Sequence, residues 1–129
     1  LHVALQVSGV KRHDEVLVPS MTFIAPLNAI RYVGAWPLFM DSDPNCWQMD
    51  AAKVRAFIAL NCEMRDGKLF NLATGRQVAA ILPVHILGIP GPIEEYKKIA
   101  EEFGLKVIDD ATESLGATVD GKPIGAVTD

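Results

Sequence analysis

The sequence predicts an α/β fold in which a mostly parallel sheet is flanked by helices. Two observations support this prediction. Strand-like segments alternate with helix-like segments along the 129 residues, which is the order typical of strand–helix–strand units. The strand segments are continuous apolar runs rather than alternating patterns, so we expect parallel strands that are buried on both faces.

The helices are predicted from the spacing of apolar residues and from signals at the helix ends. We expect helices over residues 1–10, 25–33, 51–60 and 94–103. The first ends near Gly9, while Pro26 suits the first turn of the second and Gly34 stops it. Asp50 can cap the third helix, and Gly104 stops the amphipathic fourth one.

The strands are predicted from apolar runs that are bounded by turn residues. We expect strands over residues 15–18, 37–40, 78–82 and 105–108, and Pro19 closes the first of them. The turn dipeptides Asp66-Gly67 and Asp120-Gly121 predict hairpins over residues 61–77 and 117–124.

Composition and charge exclude several classes of protein. Half of the residues are hydrophobic and 22% are charged, so the chain can bury a core and is not disordered. The net charge of −4 argues against a general nucleic-acid binder. No apolar run reaches the ~20 residues that cross a bilayer. Cys46 and Cys62 form no C-x-x-C pair, so we expect a reduced, cytoplasmic protein.

Known chemical motifs are absent from the sequence. It contains no G-x-x-x-x-G-K-[ST] loop, no G-x-G-x-x-G fingerprint and no G-x-S-x-G elbow. The three histidines lie in unrelated elements, which gives a metal site little support. Asp41 and Asp43 could suggest a metal, but the run Asp-Ser-Asp-Pro is more typical of a turn.

The chain also has the character of a piece of a longer protein. It opens at Leu1 rather than at Met, and residues 125–129 predict no closing element. We therefore treat residues 1–129 as one partial domain.

Polar residues follow each predicted parallel strand, where the functional edge of an α/β sheet is expected. These residues are Ser20 and Thr22, then Asp41 and Asp43, then His85, and finally Asp109 and Asp110.

Four residues near this edge have both a functional and a structural interpretation. Asp110 ends a hydrophobic strand and could pair with a cationic cofactor nitrogen or a metal, or equally cap the segment from Ala111. Phe23 could cover a flat ring, although a core aromatic is the favoured interpretation. His85 could bind a ligand, although a buried, satisfied histidine is favoured. Glu113 could face the same site as Asp110 or be a solvated surface acid.

Four motifs in order resemble a known enzyme family. They are DEVLVPSMTFIA (14–25), GAWPLFMD (34–41), PVHILG (83–88) and VIDDATESLGA (107–117). Together they resemble the pyridoxal-phosphate-dependent sugar aminotransferases of fold type I, the DegT/StrS family. Residues 66–76 and 111–116 are most similar to its LegC branch.

The resemblance implies a fold and an activity. The fold would be part of the large, pyridoxal-phosphate-binding domain of the aspartate-aminotransferase-like fold. The activity would be transfer of an amino group, usually from glutamate, to a nucleotide-linked 4-keto sugar for bacterial surface polysaccharides. The resemblance also implies a dimer with the active site at the subunit interface, so we expect a homodimer or larger oligomer.

The resemblance also implies roles for the candidate residues. Asp110 matches the aspartate that pairs with the pyridinium nitrogen, which keeps the ring an electron sink. Phe23 matches the aromatic that stacks on the cofactor ring, and Glu113 lies where relatives place a residue near its hydroxyl. His85 matches a histidine of the same cofactor-site motif.

Two parts of the family pattern lie outside these residues. The phosphate-binding Ser-Gly-Thr turn would precede Leu1, and the Schiff-base lysine would follow Asp129. None of the seven lysines present is a credible substitute, so we expect the chain alone to be inactive. The alternative is a non-catalytic α/β binding or interaction module derived from the same fold.

Overall fold

The computed structural model describes residues 1–126. Residues 127–129, which belong to the segment without a predicted closing element, lie outside the described residues. The helices are α1 (His2–Val7), α2 (Ile24–Tyr32), α3 (Ala51–Asn61) and α4 (Ile93–Phe103). The strands are β1 (Glu15–Pro19), β2 (Trp36–Met40), β3 (Cys62–Arg65), β4 (Lys68–Asn71), β5 (Gln77–Ile81), β6 (Lys106–Val107), β7 (Thr118–Val119) and β8 (Lys122–Pro123).

The central sheet is parallel where the sequence predicts parallel strands. Strand β1 pairs in parallel with β2 on one side and with β5 on the other, and β5 pairs in parallel with β6. The strand–helix–strand connections produce this order because a helix is needed to return the chain to the same end of the sheet. The predicted α/β class and both predicted hairpins are therefore confirmed.

Two different strands pair with the same edge of β5. The β3–β4 hairpin pairs antiparallel with the first half of β5, at Gln77 and Val78. Strand β6 pairs in parallel with the second half, at Ala80 and Ile81. The hairpin therefore lies toward the amino end of β5, and β6 leads directly to the carboxyl edge.

Two hydrophobic clusters cover the two faces of the sheet. Val16 and Val18 of β1 contribute to a cluster with α1 and α2, whereas Leu17 contributes to a cluster with α3 and α4. All three side chains are fully buried, which stabilises the fold by about 1.5–3 kcal/mol for each of them. This alternation gives three layers with the sheet in the middle.

Strand β2 departs from the expected burial on both faces. It lies at the edge of the sheet, and Phe39 is 53% exposed. The N–H of Trp36 and the carbonyl of Met40 form hydrogen bonds with β1 or with the residues next to it. Because backbone groups alternate in direction along a strand, the nitrogen of Pro37 points away from β1. Proline has no N–H to offer there, which is why it suits an edge strand.

The helix ends follow the predicted signals. Asp50 Oδ1 accepts hydrogen bonds from the N–H groups of Ala52 and Lys53, at 2.9 and 3.2 Å, so it caps α3 as expected. Gly104 ends α4 in the left-handed conformation, with φ of 66°. No helix of the described residues is long and apolar enough to cross a membrane.

A buried carboxylate joins β1 to the connection between β4 and β5. Glu15 is 1% exposed, and its Oε2 accepts a 2.9 Å hydrogen bond from Asn71 Nδ2. Its Oε1 accepts a 2.8 Å hydrogen bond from Thr74 Oγ1 and lies 3.6 Å from Arg76 Nη1. This network lies at the amino edge of the sheet, away from the candidate site.

Candidate functional site

Asp110 lies at the carboxyl edge of the sheet, where the segments after β5 and β6 run side by side. Its N–H donates to the carbonyl of Pro83 at 2.9 Å, and its carbonyl accepts from the N–H of His85 at 3.1 Å. Val84 and Asp110 are thus bridge partners in parallel pairing. The residue is 8% exposed, so the sheet holds a carboxylate at a nearly buried position.

One oxygen of the Asp110 carboxylate orders the following turn. Oδ1 accepts a hydrogen bond from Thr112 N–H at 3.2 Å and another from Thr112 Oγ1 at 2.5 Å. Among the described residues, Oδ2 has no hydrogen-bond partner. The capping interpretation therefore holds for Oδ1, and the second oxygen is still available to a cationic partner.

A mainly apolar cavity of about 270 Å³ adjoins this edge. It is lined by Met21, Thr22, Phe23, Val84, Ile86, Leu87 and Glu113. Phe23 is 76% exposed and lies at the start of α2, so the favoured interpretation as a core aromatic is wrong. The structure thus brings Phe23 and Glu113 to one cavity. Asp110 is not part of the lining, but its bridge partner Val84 is.

Glu113 is tied to the opposite wall of this cavity. Its Oε2 accepts a 2.9 Å hydrogen bond from the N–H of Leu87, so it is exposed but not simply a solvated surface acid. Leu87 itself has a positive φ of 58°. Gly88 follows with φ of 75°, and an added Cβ would lie 2.7 Å from the carbonyl oxygen of Glu113, so a side chain is excluded there.

His85 does not line the cavity. Its side chain is fully buried, and its Nδ1 accepts a 3.1 Å hydrogen bond from the N–H of Gly91. Its Nε2 lies 3.8 Å from Asp109 Oδ1. The histidine is buried as the favoured interpretation expects, but it is only half satisfied, because among the described residues Nε2 has no hydrogen-bond partner. Its burial does not agree with a direct contact with a ligand in the cavity.

Gln48, which no sequence pattern marked, supports the same wall. This residue is 2% exposed, and its side-chain amide forms two hydrogen bonds with the backbone of Ile86. Nε2 donates to the carbonyl at 3.2 Å and Oε1 accepts from the N–H at 3.3 Å. The two residues are 38 positions apart, so no local pattern could have revealed the contact.

The acidic turn after β2 is a turn, as its composition indicates. Asp43 Oδ1 accepts a 2.6 Å hydrogen bond from the N–H of Asn45, and this bond holds the pKa of Asp43 below its usual value. Asp41 lies 3.5 Å from Lys53 Nζ. Within residues 1–126 no group of three potential metal ligands comes together.

Volume alone does not select the site. A larger cavity of about 410 Å³ lies between α1, α4 and β6, and its lining includes Val7, Lys97 and Leu105. It has none of the four candidate residues in its lining. The smaller cavity combines an exposed aromatic ring with an oriented carboxylate, which is the combination that a flat polar ring requires.

Comparison with known proteins gives the family. Residues 1–129 match the family model described as the DegT/DnrJ/EryC1/StrS aminotransferase family. The chain belongs to this family. Membership confirms the resemblance stated from the four motifs, and assignment to the LegC branch remains a prediction.

Individual proteins are similar over all or nearly all of the chain. A GDP-perosamine synthase from Caulobacter vibrioides is 37% identical over all 129 residues, which cover 30% of that protein. DesV from S. venezuelae, solved in complex with a ketimine intermediate, is 28% identical with a TM-score of 0.80 over 96% of this chain and 29% of that one. NtdA from Bacillus subtilis, solved with bound cofactor PMP, is 26% identical with a TM-score of 0.78 over 99% of this chain and 25% of that one.

These similarities cover only part of each relative. The chain spans about 30% of the length of the curated relative and less than a third of the two solved structures. The expected fold is confirmed, since the aligned part of these aminotransferases is a helix-flanked sheet of the aspartate-aminotransferase-like fold.

Proposed function

We propose that this chain is part of the cofactor-binding domain of a pyridoxal-phosphate-dependent sugar aminotransferase. The observation that carries the proposal is the cavity between Phe23 and Glu113, which adjoins the buried Asp110 at the carboxyl edge of the sheet. Family membership and the PMP bound to NtdA support the same cofactor class.

The residues at this edge suit a protonated pyridine ring. Phe23 presents an exposed aromatic face to the cavity, and aromatic faces pack against flat rings. Asp110 offers Oδ2 to a ring N–H, while Thr112 holds Oδ1 and so limits rotation of the carboxylate. When bound, the cofactor supplies an electron sink whose strength depends on its ring nitrogen remaining protonated.

Glu113 is proposed to contact the hydroxyl group of the ring. Its Oε2 is held by the Leu87 N–H, so its other carboxylate oxygen can accept from a ligand hydroxyl in the cavity. His85 is no longer assigned a direct contact, because its side chain is fully buried behind the cavity wall.

The substrate proposal rests on the relatives. We propose a nucleotide-linked keto sugar as acceptor and glutamate as amino donor, in the synthesis of bacterial surface polysaccharides in the cytoplasm. The name GDP-perosamine synthase supports a nucleotide-linked sugar. Exposed apolar side chains beside the cavity, such as Leu87 and Leu115, support a homodimer that covers this edge.

The isolated 129-residue chain is proposed to be inactive. The cavity lining contains no lysine among the described residues. A stack of about 0.5–1.5 kcal/mol and a charged hydrogen bond of about 1.5–3 kcal/mol together reach only the lower end of an association cost of about 4–15 kcal/mol.

Two experiments test the proposal. The complete protein is incubated with pyridoxal phosphate, glutamate and a panel of nucleotide-linked keto sugars, and the amino sugar is sought by mass spectrometry. If none of the keto sugars is aminated, the enzyme proposal is contradicted.

The isolated chain is mixed with equimolar pyridoxal phosphate and reduced with borohydride. One lysine labelled in high yield would contradict the proposed inactivity.

A further inference from the structure

The side chains of His85 and Asp109 are buried against each other behind the cavity wall. They are 0% and 7% exposed, and His85 Nε2 lies 3.8 Å from Asp109 Oδ1. Within residues 1–126, neither this nitrogen nor either oxygen of Asp109 has a hydrogen-bond partner. Buried polar groups in native proteins almost always have a hydrogen-bond partner. A hydrogen bond between these two groups would give each of them one.

The contact on the other ring nitrogen determines the protonation state of His85. Nδ1 accepts a hydrogen bond from the N–H of Gly91 at 3.1 Å. A nitrogen that accepts a hydrogen bond carries no proton, so the imidazole is neutral and its proton lies on Nε2. The ring therefore presents an N–H donor on the side of the Asp109 carboxylate.

The neighbouring hydroxyl does not compete for Asp109. The pKa of Tyr96 is raised, chiefly by burial and less by several groups that include Asp109. Its hydroxyl nevertheless donates to the carbonyl of Met49. Tyr96 is therefore not a donor to this carboxylate, from which the Nε2 of His85 lies 3.8 Å away.

This pair is connected directly to Asp110. The N–H of His85 donates to the carbonyl of Asp110, whose own N–H donates to Pro83. Asp109 is the residue before Asp110. His85 therefore adjoins the end of this segment at two points: its backbone N–H bonds to Asp110, and its ring Nε2 lies 3.8 Å from the carboxylate of Asp109.

We infer that His85 is a positioning residue: as a neutral, Nε2-protonated imidazole it bridges the Gly91 N–H and the Asp109 carboxylate and so fixes the orientation of Asp110. The inference rests on the proposed function in assigning Asp110 to the ring nitrogen of the cofactor. It assigns His85 a role that acts through Asp110 rather than through a contact with the cofactor.

The first test measures the protonation of His85 without any cofactor. Nitrogen-15 NMR of the complete protein is recorded, and the His85 signals are identified by their loss in His85→Asn. We expect a neutral ring with the proton on Nε2. A proton on Nδ1, or an imidazolium, would overturn the inference.

The second test follows Asp110 through a bound ligand. Pyridoxamine phosphate labelled with nitrogen-15 in its ring is titrated into the complete protein and its variants. In His85→Asn, whose side chain can replace only Nδ1, we expect the ring-nitrogen signal to move toward the unprotonated form and binding to weaken by about tenfold. His85→Gln, whose amide N–H can still reach Asp109, should restore much of both.

Further variants make the result decisive even if His85→Asn does not fold. Asp109→Leu replaces the buried carboxylate by an apolar group of similar size and should reproduce the altered ring-nitrogen signal, whereas Asp109→Asn retains an acceptor oxygen and should resemble the wild type. The exposed His13, whose φ of 75° asparagine tolerates, provides the matched control His13→Asn, which should change neither signal nor affinity.

The outcomes separate the two proposals. Equal effects of His85→Asn and His85→Gln, or a wild-type ring-nitrogen signal in Asp109→Leu, would overturn the positioning role. Failure of the wild-type protein to bind pyridoxamine phosphate would instead overturn the proposed function. The cofactor-free NMR measurement would then still decide the contact between His85 and Asp109.

Discussion

Thr112 donates two hydrogen bonds to the same oxygen of Asp110, one from its N–H at 3.2 Å and one from its hydroxyl at 2.5 Å. Both bonds are local, yet they orient a carboxylate that the sheet has brought to the edge of the cavity. A charged group held in this way needs little reorganisation when a cation arrives, which is the advantage of a preorganised site.

Replacement of Asp110 tests its proposed role. Asp110→Ala is expected to abolish turnover of the complete enzyme, because the ring nitrogen loses its anionic partner. Asp110→Asn can keep the Thr112 contacts but not the charge, and should lose about tenfold or more in kcat. Steady-state amination assays measure both. Glu101→Ala, at an exposed position of α4, is the control; near-normal turnover in Asp110→Ala would exclude the assigned role.

Replacement of Phe23 should weaken cofactor binding with little effect on folding. The side chain is 76% exposed, so Phe23→Leu removes a stacking face without opening the core. We expect roughly 2–10-fold weaker binding of pyridoxamine phosphate to the complete protein, from a stack of about 0.5–1.5 kcal/mol. Phe39→Leu, at a 53% exposed position on β2, is the matched control. Equal affinities in the two variants would contradict the stacking role.

Gln48 is expected to contribute to stability through its two bonds to Ile86. Gln48→Glu keeps the acceptor but loses the donor, and Gln48→Ala loses both. Because these groups are buried, each variant should lower the free energy of unfolding by about 1–3 kcal/mol, measured by urea denaturation. Gln6→Glu, at an exposed position of α1, is the control. An unchanged midpoint in both Gln48 variants would show that the amide contact is unimportant.

The buried Glu15 should be more costly to neutralise than a surface carboxylate. A glutamine has one acceptor oxygen, whereas Glu15 accepts from Asn71 on one oxygen and from Thr74 on the other. We expect Glu15→Gln to lower the free energy of unfolding by about 1–3 kcal/mol. Thermal denaturation of Glu101→Gln, an exposed position of α4, gives the reference. Equal melting temperatures would contradict the importance of the network.

The thiol of Cys62 should react only at high pH. Burial, and then the charge of Glu15, raises the pKa of Cys62 to about 11. Thiolate is the reactive form, so alkylation of Cys62 by iodoacetamide should accelerate as the pH approaches 11, while the exposed Cys46 serves as internal reference. Because this pKa is higher in the folded state, stability should fall as the pH rises from 9 toward 11. Mass spectrometry of tryptic peptides measures the rates, and rapid labelling of Cys62 at pH 8 would contradict the prediction.

The sequence could reveal elements that depend on local patterns and not contacts that depend on strand order. Val16, Leu17 and Val18 are buried on both faces, and their apolar run predicted this. The similar apolar run at β2 predicted burial on both faces, and this prediction is wrong. Which strand lies at the edge of the sheet depends on which strands pair and not on composition. The pairing of Asp110 with Val84 follows from parallel topology, which is why the site's location was predictable.

The exposure of Phe23 and the contact of Glu113 could not be predicted from local sequence patterns. Exposure of Phe23 depends on how α2 begins, and the isolated sequence predicted a core aromatic. The N–H that bonds to Glu113 belongs to Leu87, which has a left-handed backbone conformation that a leucine in the sequence does not indicate. Position and spacing left Phe23 and Glu113 with a functional and a structural interpretation each, and the resemblance to the family pointed to the functional one.

The division of the β5 edge has a consequence for how this domain can change. The β3–β4 hairpin pairs only with the first half of β5, and β6, which leads to Asp110, pairs only with the second half. The turn at Asp66 and Gly67 is exposed, yet it reaches the start of β6, because a Cβ added to Gly104 would lie 3.1 Å from the carbonyl oxygen of Gly67. The segment that leads to Asp110 therefore limits the length of the hairpin, and inserted sequence such as an affinity tag would press on that segment first.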